Sequence, residues 1–144
     1  ATRAKFGAAV LVDCHSMPSN GSTIEGDSGR RRCDFVLGDR FGTSCDPKII
    51  DLFQNYLVEM GYSVARNDPY AGGFVTQNYG RPNERIHALQ IEINRSLYMD
   101  EVAIERIPEM AKLTDNLGKL ISRLRTVDPI SLRPPPQVYS DAAQ

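Results

Sequence analysis

The 144-residue chain has no tryptophan, only three cysteines and no excess of either charge, and each shortage closes off a class of function. Cys14, Cys33 and Cys45 form no C-x-x-C pair and leave an odd thiol. Neither a disulfide framework nor a structural zinc knuckle is therefore indicated, and a reducing, cytoplasmic setting fits best. Seventeen basic side chains against eighteen acidic ones give a formal charge of -1 with no long basic run, which argues against a nucleic-acid partner. No apolar stretch approaches the roughly twenty residues of a spanning helix, and the N-terminus lacks the apolar core of a signal peptide, so no membrane partner is expected. Neither G-x-G-x-x-G nor a P-loop occurs. What is present, 41% hydrophobic and 24% charged residues, suits one soluble globular domain with a real core.

The most informative stretch is Ala8-Ala9-Val10-Leu11-Val12-Asp13-Cys14-His15-Ser16. Residues 8–12 are apolar on both sides of an extended chain, which reads as a strand covered on both faces of a parallel or mixed sheet. Polar groups begin where that strand is expected to leave the sheet, and ligands of open α/β sheets bind beyond the carboxyl ends of strands. Asp13 and His15 project to one side and Cys14 to the other, so Asp13 can orient the imidazole while Cys14 packs inward. A capping aspartate beside a hydrogen-bonded histidine is the plainer reading of the same residues. Few residues precede this strand, which suggests a chain whose N-terminal portion is absent.

Residues 17–47 are rich in Gly, Ser, Asn, Asp and Arg and read as a long connection with one brief strand at 34–38. The triplet Arg30-Arg31-Arg32 inside it reads as a solvated loop. Asp46 and Pro47 are placed as N-cap and first residue of a helix whose apolar face is Ile49, Phe53, Tyr56, Leu57 and Met60, ended by Gly61. Residues 62–66 form a strand, completing the second half of a crossover. Residues 71–81, with three glycines, read as a loop, either a mobile surface one or one that contacts substrate.

Residues 86–94 alternate: His87, Leu89, Ile91 and Ile93 fall on one side, Ala88, Gln90, Glu92 and Asn94 on the other. One face is built for the core and the other for something polar. A carboxylate in the body of a strand needs solvent, a charge or a metal to offset its burial, so Glu92 is either an exposed residue or a functional acid. His87, on the apolar side, reads as packed or solvated rather than as a ligand. A long helix is expected from Asp100 or Glu101, with Pro108 in its first turns and a stripe of Ile107, Met110, Ala111, Leu113, Leu117, Leu120, Ile121 and Leu124. Residues 128–144, with three consecutive prolines, read as an extended tail.

Three motifs, Asp13-Cys14-His15-Ser16-Met17-Pro18, Asn67-Asp68-Pro69-Tyr70-Ala71-Gly72-Gly73 and Gln90-Ile91-Glu92-Ile93-Asn94-Arg95, together resemble the C-terminal half of the N-formylglutamate amidohydrolase family. More distantly, the order His-Ser, tyrosine loop, strand glutamate is similar to the zinc carboxypeptidases. The resemblance implies a mixed, largely parallel α/β sheet flanked by helices, with residues 1–127 as the C-terminal portion of a catalytic domain, itself incomplete. It implies hydrolysis of N-formyl-L-glutamate, a small-molecule substrate, to formate and L-glutamate in histidine breakdown.

It also makes His15 a zinc ligand and Glu92 the general base, with Asp13 and Ser16 in support. The candidates for substrate contact are Asn67, Tyr70, Gly73, Thr76, Arg81, Asn94 and Arg95, and of these Arg81 and Arg95 are shaped to pair with carboxylates. The family's other metal ligands are expected upstream of His15, so the isolated chain should hold zinc poorly. A related N-acyl amino acid deacylase and a metal-free binding domain of the same fold are the alternatives. Oligomeric state is left open.

Overall fold

In the computed structural model, which describes residues 1–22 and 28–132, strand β4 (Ile86–Asn94) is the element on which the others assemble. It pairs in parallel with β1 (Ala9–Met17) and antiparallel with β2 (Phe35–Gly38), and β2 pairs in parallel with β3 (Val64–Arg66). The order β1-β4-β2-β3 is the mixed, largely parallel sheet expected from the sequence. Among the described residues four α-helices flank it: α1 (Thr2–Phe6), α2 (Pro47–Glu59), α3 (Phe74–Tyr79) and α4 (Met110–Leu124).

The two-residue period of β4 divides the sheet as expected. Leu89 and Ile91 join Phe35 and Leu37 in a core covered by α2, through Ile49, Ile50, Phe53 and Leu57, and by α4, through Leu113 and Leu120. Phe53 is fully enclosed, a burial that stabilises by roughly 2–3 kcal/mol. The caps of α2 follow the sequence. Asp46 accepts from Lys48 N–H at 2.9 Å and Pro47 opens the helix, while Gly61 follows Met60 with a left-handed φ of 87°.

Four expectations are corrected. First, β1 lies at the edge of the sheet with Leu11 exposed, so it is not covered on both faces. It also runs on through Met17, which places Asp13, Cys14, His15 and Ser16 in the body of the strand. Cys14 does face the core side, yet it is exposed, on the rim of a hollow shared with Ile93, Tyr98, Met110 and Leu117. Second, residues 74–79 are helical, a turn and a half too short to show a periodic stripe. Third, α4 begins at Met110, because residues before it form a hairpin of β5 (Met99–Asp100) and β6 (Glu105–Arg106). Asp100 resembled a helix cap because its carboxylate accepts from Val102 and Ala103 N–H, which makes a turn instead. Fourth, Pro129–Leu132 is a 3₁₀ turn with Leu132 buried in the core, not extended chain. The remaining residues of the expected tail, 133–144, lie outside the described residues. Among the described residues no helix is long and apolar enough to cross a membrane.

His87 sits on the core face as expected, fully buried, its Nδ1 accepting from Asp46 N–H at 3.1 Å and its Nε2 without a hydrogen-bond partner. Burial lowers its pKa from the ordinary 6.5, with Asp46 opposing in part. The sign follows directly. Above pH 6.5 folded and unfolded states both carry a neutral ring and stability is full. Below it the unfolded state takes up the proton first, at a cost of up to about 1.4 kcal/mol per pH unit until the folded ring titrates. Urea midpoints should therefore fall with acidification below pH 6.5 more steeply in the parent than in His87→Gln, and parallel curves would refute the assignment.

Candidate active site

The polar face of the sheet is assembled by register. Asp13 lies opposite Gln90 and His15 opposite Glu92, so four polar side chains of two parallel strands share one face. The next strands continue the row, with Val36 opposite both Glu92 and Ala65. Across this row His15 Nε2 lies 3.2 Å from Asp13 Oδ1, and its Nδ1 lies 3.7 Å from Glu92 Oε1. The imidazole is half exposed while the Glu92 carboxylate is only 8% exposed. Burial pushes the Glu92 pKa above its usual range, opposed by His15, the Gln90 amide and Arg32, and reinforced by Asp13. The structure thus brings Asp13, His15 and Glu92 into one cluster.

Gln90, which the sequence placed on the polar face without a role, joins this cluster to the loop before α3. Its Oε1 accepts from Gly73 N–H at 2.6 Å, and its Nε2 donates to Glu92 Oε1 at 2.7 Å. Gly73 therefore acts through its backbone. The loop can press this close because Gly38 has no side chain: a Cβ there would stand 2.6 Å from Gly72 N. Tyr70, also on the loop, accepts a hydrogen bond from Arg32 Nη1 at 2.5 Å, and the Arg32 guanidinium lies 5.2 Å from the centre of its ring. Arg32 is 6% exposed, which corrects its reading as part of a solvated loop. No local pattern marks it, since the residues around it have neither period.

Other expected contacts are engaged elsewhere. Asn67, at a left-handed φ of 56°, accepts from Asp39 and Phe41 N–H and donates to Asp39 Oδ1, bracing the chain after β2. Thr76 is fully buried and donates to Gly73 O at 2.8 Å. Asn94 is buried, donating to the carbonyls of Arg32 and Cys33 and accepting from Ser96. These hydrogen bonds tie all three side chains into the frame around the site. Ser16 falls on the opposite face from His15, where it accepts from Arg95 Nε at 3.4 Å. Arg81 bridges to Ile86, the first residue of β4, six residues or roughly 20 Å along the strand from Glu92. Neither Arg81 nor Arg95 is brought to the cluster.

The residues present do not fit a catalytic zinc, which takes three protein donors and an open position. Among the described residues no three His, Cys, Asp or Glu side chains are arranged to hold a metal ion. Both ring nitrogens of His15 are turned toward carboxylates. Cys33 Sγ donates to Phe35 O at 3.1 Å and Cys45 is buried in the core.

A mixed sheet flanked by helices, with an imidazole and a desolvated carboxylate on one face and a buried guanidinium beside it, places the chain in the α/β class. Comparison with known proteins narrows the class. The model of the N-formylglutamate amidohydrolase family matches residues 1–99. N-formylglutamate deformylases of Pseudomonas aeruginosa and Pseudomonas putida are 37% and 40% identical over 70% and 69% of the chain. The crystal structure of N-formylglutamate amidohydrolase from Ralstonia eutropha JMP134 is similar over 85% of the chain, with a TM-score of 0.79 and 46% identity. The chain belongs to the N-formylglutamate amidohydrolase family. It spans 37% and 36% of the two deformylases and 44% of the solved chain.

Proposed function

We propose that this chain is part of an enzyme that hydrolyses N-formyl-L-glutamate to formate and L-glutamate, in the cytoplasm and in histidine breakdown. The observation that carries the proposal is the desolvated Glu92 carboxylate held opposite His15 on the polar sheet face of a chain 46% identical to a solved amidohydrolase. Glu92 takes one proton from a water as the water oxygen attacks the formyl carbon. It then delivers that proton to the nitrogen as the C–N bond breaks, so the amine leaves neutral. Gln90 and His15 both face Oε1, which assigns Oε2 to the water. Asp13, beside Nε2, fixes the ring plane of His15.

Zinc dependence, with His15 as one ligand, belongs to the proposed enzyme as a whole; the described residues of this chain supply no three-donor set for the ion. The test is product analysis with the enzyme that carries this sequence. Formate release from N-formyl-L-glutamate should far exceed acetate release from N-acetyl-L-glutamate. The reverse order favours the deacylase alternative, and binding of both without turnover favours a binding domain.

A further inference from the structure

We infer that Arg32 and the hollow beside it form the subsite for the side-chain carboxylate of the substrate, making Arg32 a specificity-determining residue; this rests on the proposed hydrolysis of an N-formyl amino acid. The hollow, of about 100 Å³, is lined by Arg30, Arg31, Arg32, Cys33, Ala65, Asp68 and Pro69. Among the described residues that line it, three guanidinium groups outweigh one carboxylate, which favours an entering anion. Arg32 is the buried member, fixed by the Tyr70 hydroxyl at 2.5 Å and by the ring beneath it, and a preset guanidinium in low dielectric binds carboxylate more strongly than a solvated one. Its charge also reaches Glu92, which places the hollow and the base in one electrostatic unit.

Distance selects the side-chain carboxylate. Glu92, Val36 and Ala65 lie in one cross-strand row, and Ala65 lines the hollow. Two strand spacings therefore separate the base's strand from that of Ala65, roughly 10 Å. From the formyl carbon of N-formyl-L-glutamate to its side-chain carboxyl carbon is five bonds, roughly 6 Å when extended. A water between base and carbonyl adds about 3 Å. The sum matches the span. The α-carboxylate, three bonds from the formyl carbon, stops over Val36, and an aspartate side chain falls one bond short.

In the active enzyme, kcat/KM is compared for N-formyl-L-glutamate and its uncharged isostere N-formyl-L-glutamine in the parent, Arg32→Lys and Arg32→Gln. Arg32→Gln should lower the glutamate value on the order of a hundredfold and leave the glutamine value within about threefold, with Arg32→Lys intermediate. Equal losses on both substrates, or an unchanged ratio, overturn the assignment. If Arg32→Gln does not fold, Tyr70→Phe keeps the ring and deletes only the fixing hydroxyl, and it should lower the same ratio about tenfold; no change overturns the subsite. Glutarate binding, followed by calorimetry, separates this inference from the reaction. If the parent cleaves no N-formyl amino acid, the proposed function fails on its own. Glutarate bound by the parent and lost in Arg32→Gln then still supports the subsite, whereas no binding, or binding indifferent to the substitution, overturns it.

Discussion

Glu92→Gln in the active enzyme is expected to lose turnover on the order of a hundredfold or more while KM for N-formyl-L-glutamate changes little. The reason lies in what the substitution spares. Glutamine has the same shape, and its side-chain oxygen still accepts the 2.7 Å hydrogen bond from Gln90 Nε2, so the link from Gly73 through Gln90 to position 92 survives. The ability to hold a proton does not survive. A neutral amide cannot take one from water at any pH used for assay, so the loss falls on the chemical step. His15→Ala should also lose turnover, and by the proposed role it should lose bound zinc as well, whereas Glu92→Gln retains it. Near-normal turnover in Glu92→Gln would remove Glu92 from the reaction altogether.

How far this site was legible in the sequence depends on the range of the interaction that builds each part. The alternation of β4 is a local pattern with a period of two, and it separated His87 from Glu92 correctly because one face meets α2 and α4 while the other does not. The N-cap at Asp46 is equally local. The pairing of His15 with Glu92 is not, since it depends on the parallel register of two strands far apart in the chain, which neither strand encodes alone. Arg32 is a harder case. Its burial depends on Tyr70 arriving from a loop 38 residues later, and an arginine in a Gly/Ser-rich segment looks the same whether that partner comes or not. Asn67, Thr76 and Asn94 became candidates for substrate contact through the family resemblance, which carries over residue types and not their hydrogen-bond partners. The structure has them binding backbone, the commonest destination of side-chain hydrogen bonds. Exposed edge positions misled in the other direction. Eight to twelve looked like a buried strand because Ala, Val and Leu are apolar on either face, but strand composition does not say whether a neighbour lies on both sides.

The 144-residue chain by itself is expected to bind zinc at well under one ion per chain and to release no formate, while a chain of the relatives' full length does both. The argument is an accounting of donors. The chain has two histidines, and His87 is enclosed on the core face with Nδ1 taken by Asp46 N–H. A thiol must lose its proton to ligate, and burial, helped by Asp39 and Asp46, drives the Cys45 pKa up to about 12. Cys14 lies on the opposite face of β1 from His15, and its pKa is raised by burial and by Asp13. Among the described residues, those gathered at the site are then His15, Asp13 and Glu92. Glu92 is held by Gln90 as the base, and spending it on the metal would leave the water without a proton acceptor. One imidazole and one carboxylate do not make the three-donor set that a catalytic zinc requires. Metal analysis after dialysis against excess zinc, run beside an assay for formate, measures both halves. Stoichiometric zinc with turnover in the 144-residue chain would show that the site is complete within it and that the role given to Glu92 or the face given to Cys14 is wrong.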